Sequence, residues 1–334
     1  PMSRRTLILL AVFAVMASAC AGGDDGESIT VYSGRSEELV APLIAEFEGS
    51  SGIDVEVRYG DSAELAATIL EEGGNSPADF FFAQDPASLG AVAISDRFLP
   101  LDNELLALVP AGFSDDSGRW IGVSGRARVV VYDSDRIDPA TLPTTEDGFT
   151  DPMWSGRVAV APTNGSFPAF VAAKILIDGE AATLQWLEAM AANRAPTYPK
   201  NSVIVAAVDD GEVEAGLVNH YYLFRRQDEV GDTIATNHFL TGGGAGSLVM
   251  PAGAGIIATS DDAGAAEEFL RYLLDTSAQS YFANETFEYP LAEGVAANPA
   301  LPPLASLNPP TLNLSELAQA LDRATDLVAE AGLL

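Results

Sequence analysis

Two tyrosines in immediate succession, Tyr221 and Tyr222, stand between an apolar run ending at Asn219 and His220 and a polar segment that carries Arg225 and Arg226. At a strand-to-helix junction, adjacent side chains point about 100° apart once the helix begins, so both hydroxyls can converge on one ion. Within a straight strand they would diverge. A phenol ionises near pH ~10 in water, and only a strong cation beside it makes it an anionic ligand at neutral pH. Fe(III), which prefers hard oxygen donors, is such a cation. The plainer alternative is an amphipathic helix whose tyrosines pack and send their hydroxyls to water.

Two further segments offer an anion a resting place. Thr163, Asn164, Gly165 and Ser166 precede one predicted helix, and Asn201 with Ser202 precede another. Each supplies free backbone amides and small polar side chains, and each alone reads equally as an ordinary helix cap. Set beside the tyrosine pair, they suggest one shared pocket. Other chemistry is scarce, with no GxSxG, HExxH or Walker string. Gly253 to Ala258 matches a GxGxxA dinucleotide string, yet it runs into a strand instead of opening a helix, which makes its glycines packing residues. His220 and His238 are far apart and Cys20 is the only cysteine, which argues against a zinc or iron–sulfur cage.

The elements that must carry these residues alternate. Ile29 to Tyr32 is a short strand, Ser36 an N-cap followed by Glu37 and Glu38, and Leu39, Leu43, Ile44 and Phe47 one helical face ended by Gly49 to Gly52. A second strand around Ile53, Val55 and Val57, a helix over 62–72 and a third strand at Phe80 to Phe82 complete a β/α unit. That rhythm predicts a parallel sheet with helices on both faces, and a crevice at the loops Ser33–Ser36, Tyr59–Ser62 and Ala83–Pro86. A second round follows, with strands at Ala127–Tyr132, Val158–Ala161 and Val213–Asn219, and further strands at Ser247–Met250 and Ile256–Thr259. Helices are expected after Phe167, over 180–192, from Tyr221, over 262–274 and over 313–331. Two similar α/β lobes with a cleft between them are the economical reading.

The chain has 334 residues, with 48 Asp and Glu against 17 Lys and Arg and a net charge of −31. The length suits one large or two medium domains, and the acidity, with no basic cluster, argues against nucleic-acid binding. The N-terminus has a different character. Arg4 and Arg5 precede the uncharged run Thr6–Ala19, and Ala17, Ser18 and Ala19 before Cys20 resemble a bacterial lipobox. Residues 1–19 are therefore expected to be a signal peptide, Cys20 the lipidated residue, and 20–27 a flexible linker, the alternative being an ordinary signal with an incidental cysteine. No later apolar run reaches spanning length, so membrane contact is expected through the lipid alone. That places the protein on the outer face of the cytoplasmic membrane, at the cell surface or in a periplasm.

Six strings, ITVYSGR at 29–35, GIDVEVRYGDSAELAATILEEG at 52–73, SPADFFFAQD at 76–85, SGRARVVVYD at 124–133, KNSVIVAAV at 200–208 and NHYYLFR at 219–225, cover much of the expected mature chain. Together they resemble the ferric-iron-binding proteins among the solute-binding proteins of bacterial ABC importers. The resemblance implies an α/β, class II periplasmic-binding-protein-like fold of two hinge-linked lobes, 27–128 with 250–300 and 129–249 with 301–334. It implies Fe(III) as transported ligand, held by Tyr221 and Tyr222. A synergistic phosphate or carbonate would lie on Asn164, Gly165, Ser166, Asn201 and Asn219. Where members carry histidine after the first strand and glutamate after the third, this chain has Ser36 and Gln84. The remaining iron positions then fall to water, to Asp85 or Glu37, or to a chelator such as citrate, with Arg35, Arg126 and Tyr59 near the crevice as carboxylate partners or as salt-bridge formers. The implied partners are a membrane permease and its ATPase, with the protein itself monomeric and performing no covalent chemistry. The rival reading is a binder of another small anion, such as a phosphonate, sulfate or organic acid, whose tyrosines only line the pocket. A carboxylate-dependent hydrolase is the more distant alternative.

Overall fold

The computed structural model describes residues 27–334, so the expected signal peptide, Cys20 and all of the linker but Glu27 lie outside the described residues. Strands β1 (Ser28–Ser33), β2 (Asp54–Tyr59) and β3 (Phe80–Ala83) alternate with helices α1 (Glu37–Ser51), α2 (Ser62–Glu72) and α3 (Pro86–Ile94). Helix α1 passes through Gly49 and stops at Gly52, whose φ of 77° is the left-handed turn that glycine permits. After the short α4 (Asn103–Leu106) comes the long β4 (Ile121–Asp133), followed by β5 (Val158–Ala159), α5 (Ser166–Asp178), α6 (Glu180–Ala192) and α7 (Asn201–Asp209). Then follow β6 (Ala215–Asn219), α8 (Tyr221–Val230), β7 (Ala235–Phe239) and β8 (Val249–Ile256). The chain closes with α9 (Ala263–Leu273), α10 (Thr276–Asn284), β9 (Tyr289–Pro290) and α11 (Leu317–Glu330).

Two sheets share one strand. β1 pairs in parallel with β2 and β3, but β8 runs antiparallel to β3, and β4 antiparallel to β8. The sheet is thus mixed and not purely parallel as the β/α rhythm predicts, because β4 and β8 are strands that return through the sheet instead of adding another crossover. Along β4, residues Ile121–Ala127 pair with β8, and Arg128–Tyr132 pair with β6, which lies parallel to β5. The handover at Ala127 and Arg128 joins two α/β lobes through a strand buried along its whole length.

The two strands expected at Ser247–Met250 and Ile256–Thr259 are one, β8, running through the glycines between them. Those glycines are packing residues: a Cβ on Gly253 would stand 2.7 Å from the Ile121 carbonyl oxygen, and one on Gly255 2.7 Å from the Phe98 ring. One apolar cluster fills the first lobe around Val31, Phe80, Phe82 and Phe269, and another the second around Val129, Val131, Ile204 and Val218. A third, with Phe81, Trp120, Phe149, Trp186 and Leu327, continues across both. Burying each such side chain contributes about 1.5–3 kcal/mol. Helix α11 packs on α5 and also on α3, and Ser315 just before it accepts from the Trp120 indole at 3.1 Å. The segment 301–334 therefore bridges the lobes and is not confined to the second.

Candidate functional site

The handover strand brings a cavity of about 470 Å³ to the line between the lobes. On one wall stand the starts of α2 and α3, with Asp61, Ser62, Gln84 and Asp85; on the other, Asn164, Gly165 and Ser166 at the start of α5, and Asn219 and Tyr222 at the β6–α8 junction. Arg126 and Arg128 project between them from β4, two residues apart and hence on the same face. Leu321 and Thr325 of α11 close one side.

The tyrosines stand at a strand-to-helix junction, as the sequence predicts, but of the two only Tyr222 lines the cavity. Helix α8 begins at Tyr221, and the two rings stack with centroids 4.4 Å apart and planes 29° apart. Tyr221 is buried, Tyr222 half-buried and facing the cavity, and the Arg225 guanidinium lies over both rings, 5.0 and 5.7 Å from their centroids. Burial pushes the Tyr222 hydroxyl above its ordinary range, Tyr221 beside it adds to that, and Arg225 and Arg126 oppose it. The phenol is therefore protonated at neutral pH.

Beside the tyrosines, Ser166 Oγ donates to Asn164 Oδ1 at 2.7 Å and accepts from Asn201 Nδ2 at 2.9 Å. Asn201 is itself the first residue of α7, not a residue before it, and its Oδ1 has no partner. Arg128 donates to Ser166 Oγ at 3.0 Å and Asn219 Oδ1 at 3.3 Å, while its Nε is unpartnered. Burial lowers the Arg128 pKa to about 10, against the pull of Tyr222 and Tyr221, so the guanidinium is still charged at neutral pH. Its Phe167 and Phe170 neighbours hold it from beneath at 5.9 and 5.4 Å. Arg126 donates to the Gln84 carbonyl, and its Nε also lacks a partner. Among the described residues neither Arg126, Arg128 nor Arg225 forms an ion pair with a carboxylate.

Other expected cleft residues go elsewhere. Arg35 is buried against Glu288 at 2.5 Å, and Arg35 with its neighbours holds the Glu288 carboxyl below its usual range despite burial. Ser33 donates to the Arg35 carbonyl at 3.0 Å. Ser36 and Tyr59 are exposed and do not line the cavity. Asp85 faces it, but its carboxylate caps α3, accepting from the Ser88 amide at 2.8 Å and the Ser88 hydroxyl at 3.0 Å. Among the described residues no three His, Cys, Asp or Glu side chains gather to hold a metal ion. Arg128 was not singled out by sequence reasoning, although its position two residues beyond Arg126 on one strand was an available signal.

A cleft between two α/β lobes, lined by helix starts, polar side chains and two arginines, is the architecture of a small-solute binding protein. The comparison with known families agrees: residues 75–314 match the bacterial extracellular solute-binding proteins, and the chain belongs to that family. The Fe(3+)-binding periplasmic protein of Serratia marcescens is 32% identical, over 98% of this chain and 96% of its own. Iron-bound HitA from Pseudomonas aeruginosa superposes with a TM-score of 0.85 at 33% identity, covering 92% of this chain and 99% of that one. Trichodesmium IdiA (FutA), in complex with iron and citrate ligands, gives a TM-score of 0.82 at 27% identity over 91% and 99%.

Proposed function

We propose that the protein is the extracellular solute-binding component of an ABC importer, capturing ferric iron as an anion complex and presenting it to a membrane permease driven by its ATPase. The observation that carries the reading is the half-buried Tyr222, stacked on Tyr221 at the cavity wall, among three arginines without carboxylate partners. In a chain of net charge −31, cations are readily paired. Leaving these unpaired suits a site that awaits negative charge, both from ionised phenols and from an anion on Ser166, Asn219 and the start of α5.

Two phenolates leave an octahedral iron short of ligands, and among the described residues no cluster of His, Cys, Asp or Glu supplies them. A chelator that brings its own carboxylates answers both the shortage and the two guanidinium groups, so citrate fits better than phosphate or carbonate. The cavity volume lies in the range of small-molecule sites. The names of relatives that bind iron, and of one solved with citrate, support this reading. The same proposal makes Cys20 the lipid anchor, keeps the protein monomeric, and divides it into lobes 27–128 with 250–300 and 129–249 with α11 bridging them.

Titrating the mature protein with ferric citrate, and separately with ferric ion plus phosphate or carbonate, tests the assignment. Phenolate ligation produces a visible charge-transfer band. Saturable binding of citrate, phosphate or sulfate with no colour in any iron titration would instead establish a simple anion binder.

A further inference from the structure

His220, next to the tyrosine pair, is saturated by contacts that leave it no lone pair for a metal. Its backbone amide donates to the Ala127 carbonyl at 3.1 Å, and its own carbonyl accepts from Asn237 Nδ2 at 2.8 Å. Its Nε2 lies 2.5 Å from the Phe287 carbonyl, which can only accept, so Nε2 carries the proton. Nδ1 is then free to accept from the Ala127 amide at 3.1 Å. The ring is fully buried and packs on Tyr221 and Tyr289.

These partners belong to different parts of the molecule. Ala127 is the last residue of β4 to pair with β8, immediately before the strand passes to β6. Phe287 leads into β9, which pairs with Ser124 and Gly125 in the first lobe. Phe287 adopts a φ of 55°, a left-handed conformation that costs a bulky residue energy and persists where the surroundings over-determine it. That conformation turns its carbonyl to His220, while its ring stacks on Phe224 of α8 at 4.3 Å and 2°. The next residue, Glu288, holds Arg35 and the Ser124 hydroxyl.

We propose that His220 and Phe287 form the fulcrum of lobe closure, with His220 as a positioning residue that fixes the tyrosine pair relative to the first lobe. The inference rests on the binding function proposed above but assigns a role to residues outside the ligand shell. Closure rotates the lobes about the strand handover, and a clamp located there holds α8 at a constant distance from the axis while the opposite wall swings in.

The test compares wild type with His220→Leu, which removes both side-chain hydrogen bonds, His220→Gln, whose amide can restore the donor to Phe287, and Phe287→Gly, which relaxes the backbone. Affinity is read from the visible band with ferric citrate, and closure from the change in radius of gyration on adding ferric citrate or citrate alone. The expected result is an affinity loss of about tenfold in His220→Leu with a reduced contraction, recovery in His220→Gln, and a smaller loss in Phe287→Gly. A folded His220→Leu that binds within about twofold of wild type and contracts fully would overturn the clamp. If that variant does not fold, unchanged affinity and contraction in Phe287→Gly overturn it. Wild type without a band refutes the iron reading alone, since contraction with citrate still reports on the clamp; wild type that contracts with neither ligand refutes the clamp.

Discussion

On the cleft wall built from α2 and α3, the chain closes its own helix N-termini: Asp61 accepts from the Ala63 amide at 2.9 Å, and Asp85 from that of Ser88 at 2.8 Å. On the opposite wall α5 and α8 have Gly165 and His220 at the N-cap, neither capping through its side chain; Asn164 Oδ1 accepts from the Ser166 amide at 3.3 Å, and Arg128 stands between the two starts without a carboxylate. Each aspartate satisfies one orphan amide and places a negative charge at the positive end of the helix dipole, so the first wall carries less free positive potential. The second retains positive potential that an anion or a phenolate can use. The same molecule shows how a buried cation is treated when it serves the fold: Lys174 is held by Glu146, Asp147 and Asp178 together. A basic group left unpaired beside a cavity marks binding more clearly than a basic group as such.

The contrast can be broken most sharply at Tyr222. Tyr222→Phe removes one hydroxyl and little packing, so ferric affinity is expected to fall at least about a hundredfold and the visible band to weaken, with the melting temperature nearly unchanged. Tyr221→Phe is expected to act in the same direction. Unchanged affinity in both variants would transfer the site to other residues.

The pH profile comes next in size. The Tyr222 hydroxyl lies above its ordinary pKa in the empty protein and must lose its proton to ligate. Binding therefore releases protons, and affinity for ferric citrate rises with pH, by about tenfold per unit for each phenol that ionises. Repeating the titration between pH 6 and 7.5, about, checks this; a flat profile is incompatible with phenolate ligation.

Arg128→Gln sharpens the electrostatic side of the comparison. Losing a charge-assisted contact is expected to weaken citrate and ferric citrate about tenfold, while stability holds or improves because a buried, unpaired cation is gone. Isothermal titration with citrate alone and thermal melts separate the two effects. The smallest effect is expected on the capped wall: Asp85→Ala costs about 1 kcal/mol through the lost α3 cap and changes iron affinity by less than about twofold. A large affinity loss there would instead make Asp85 an iron ligand.

Legibility in the sequence followed the range of the interactions. The alternating strands and helices through Ala83, the left-handed stop at Gly52 and the placement of the tyrosines at the start of α8 depend on neighbours a few residues away, and the residue pattern expresses them. The single strand β8 was not legible because Pro251, Gly253 and Gly255 interrupt the strand-forming residues on either side, although the glycines already read as packing residues, a reading the approach of Ile121 and Phe98 bears out.

The site shows the same division. The residue types capable of holding a hard cation and an anion are present in the linear chain, and so is their grouping into short segments. Which of them meet was decided only by tertiary structure. Arg128 reaches Ser166 and Asn219 across 38 and 91 positions, while Arg35 is drawn away from the cleft by Glu288, 253 positions distant. Spacing along a chain sets which face of a helix or strand a side chain occupies, but the partner it finds depends on where a crossing strand passes from one sheet to the other, and that register comes from the packing of both lobes at once.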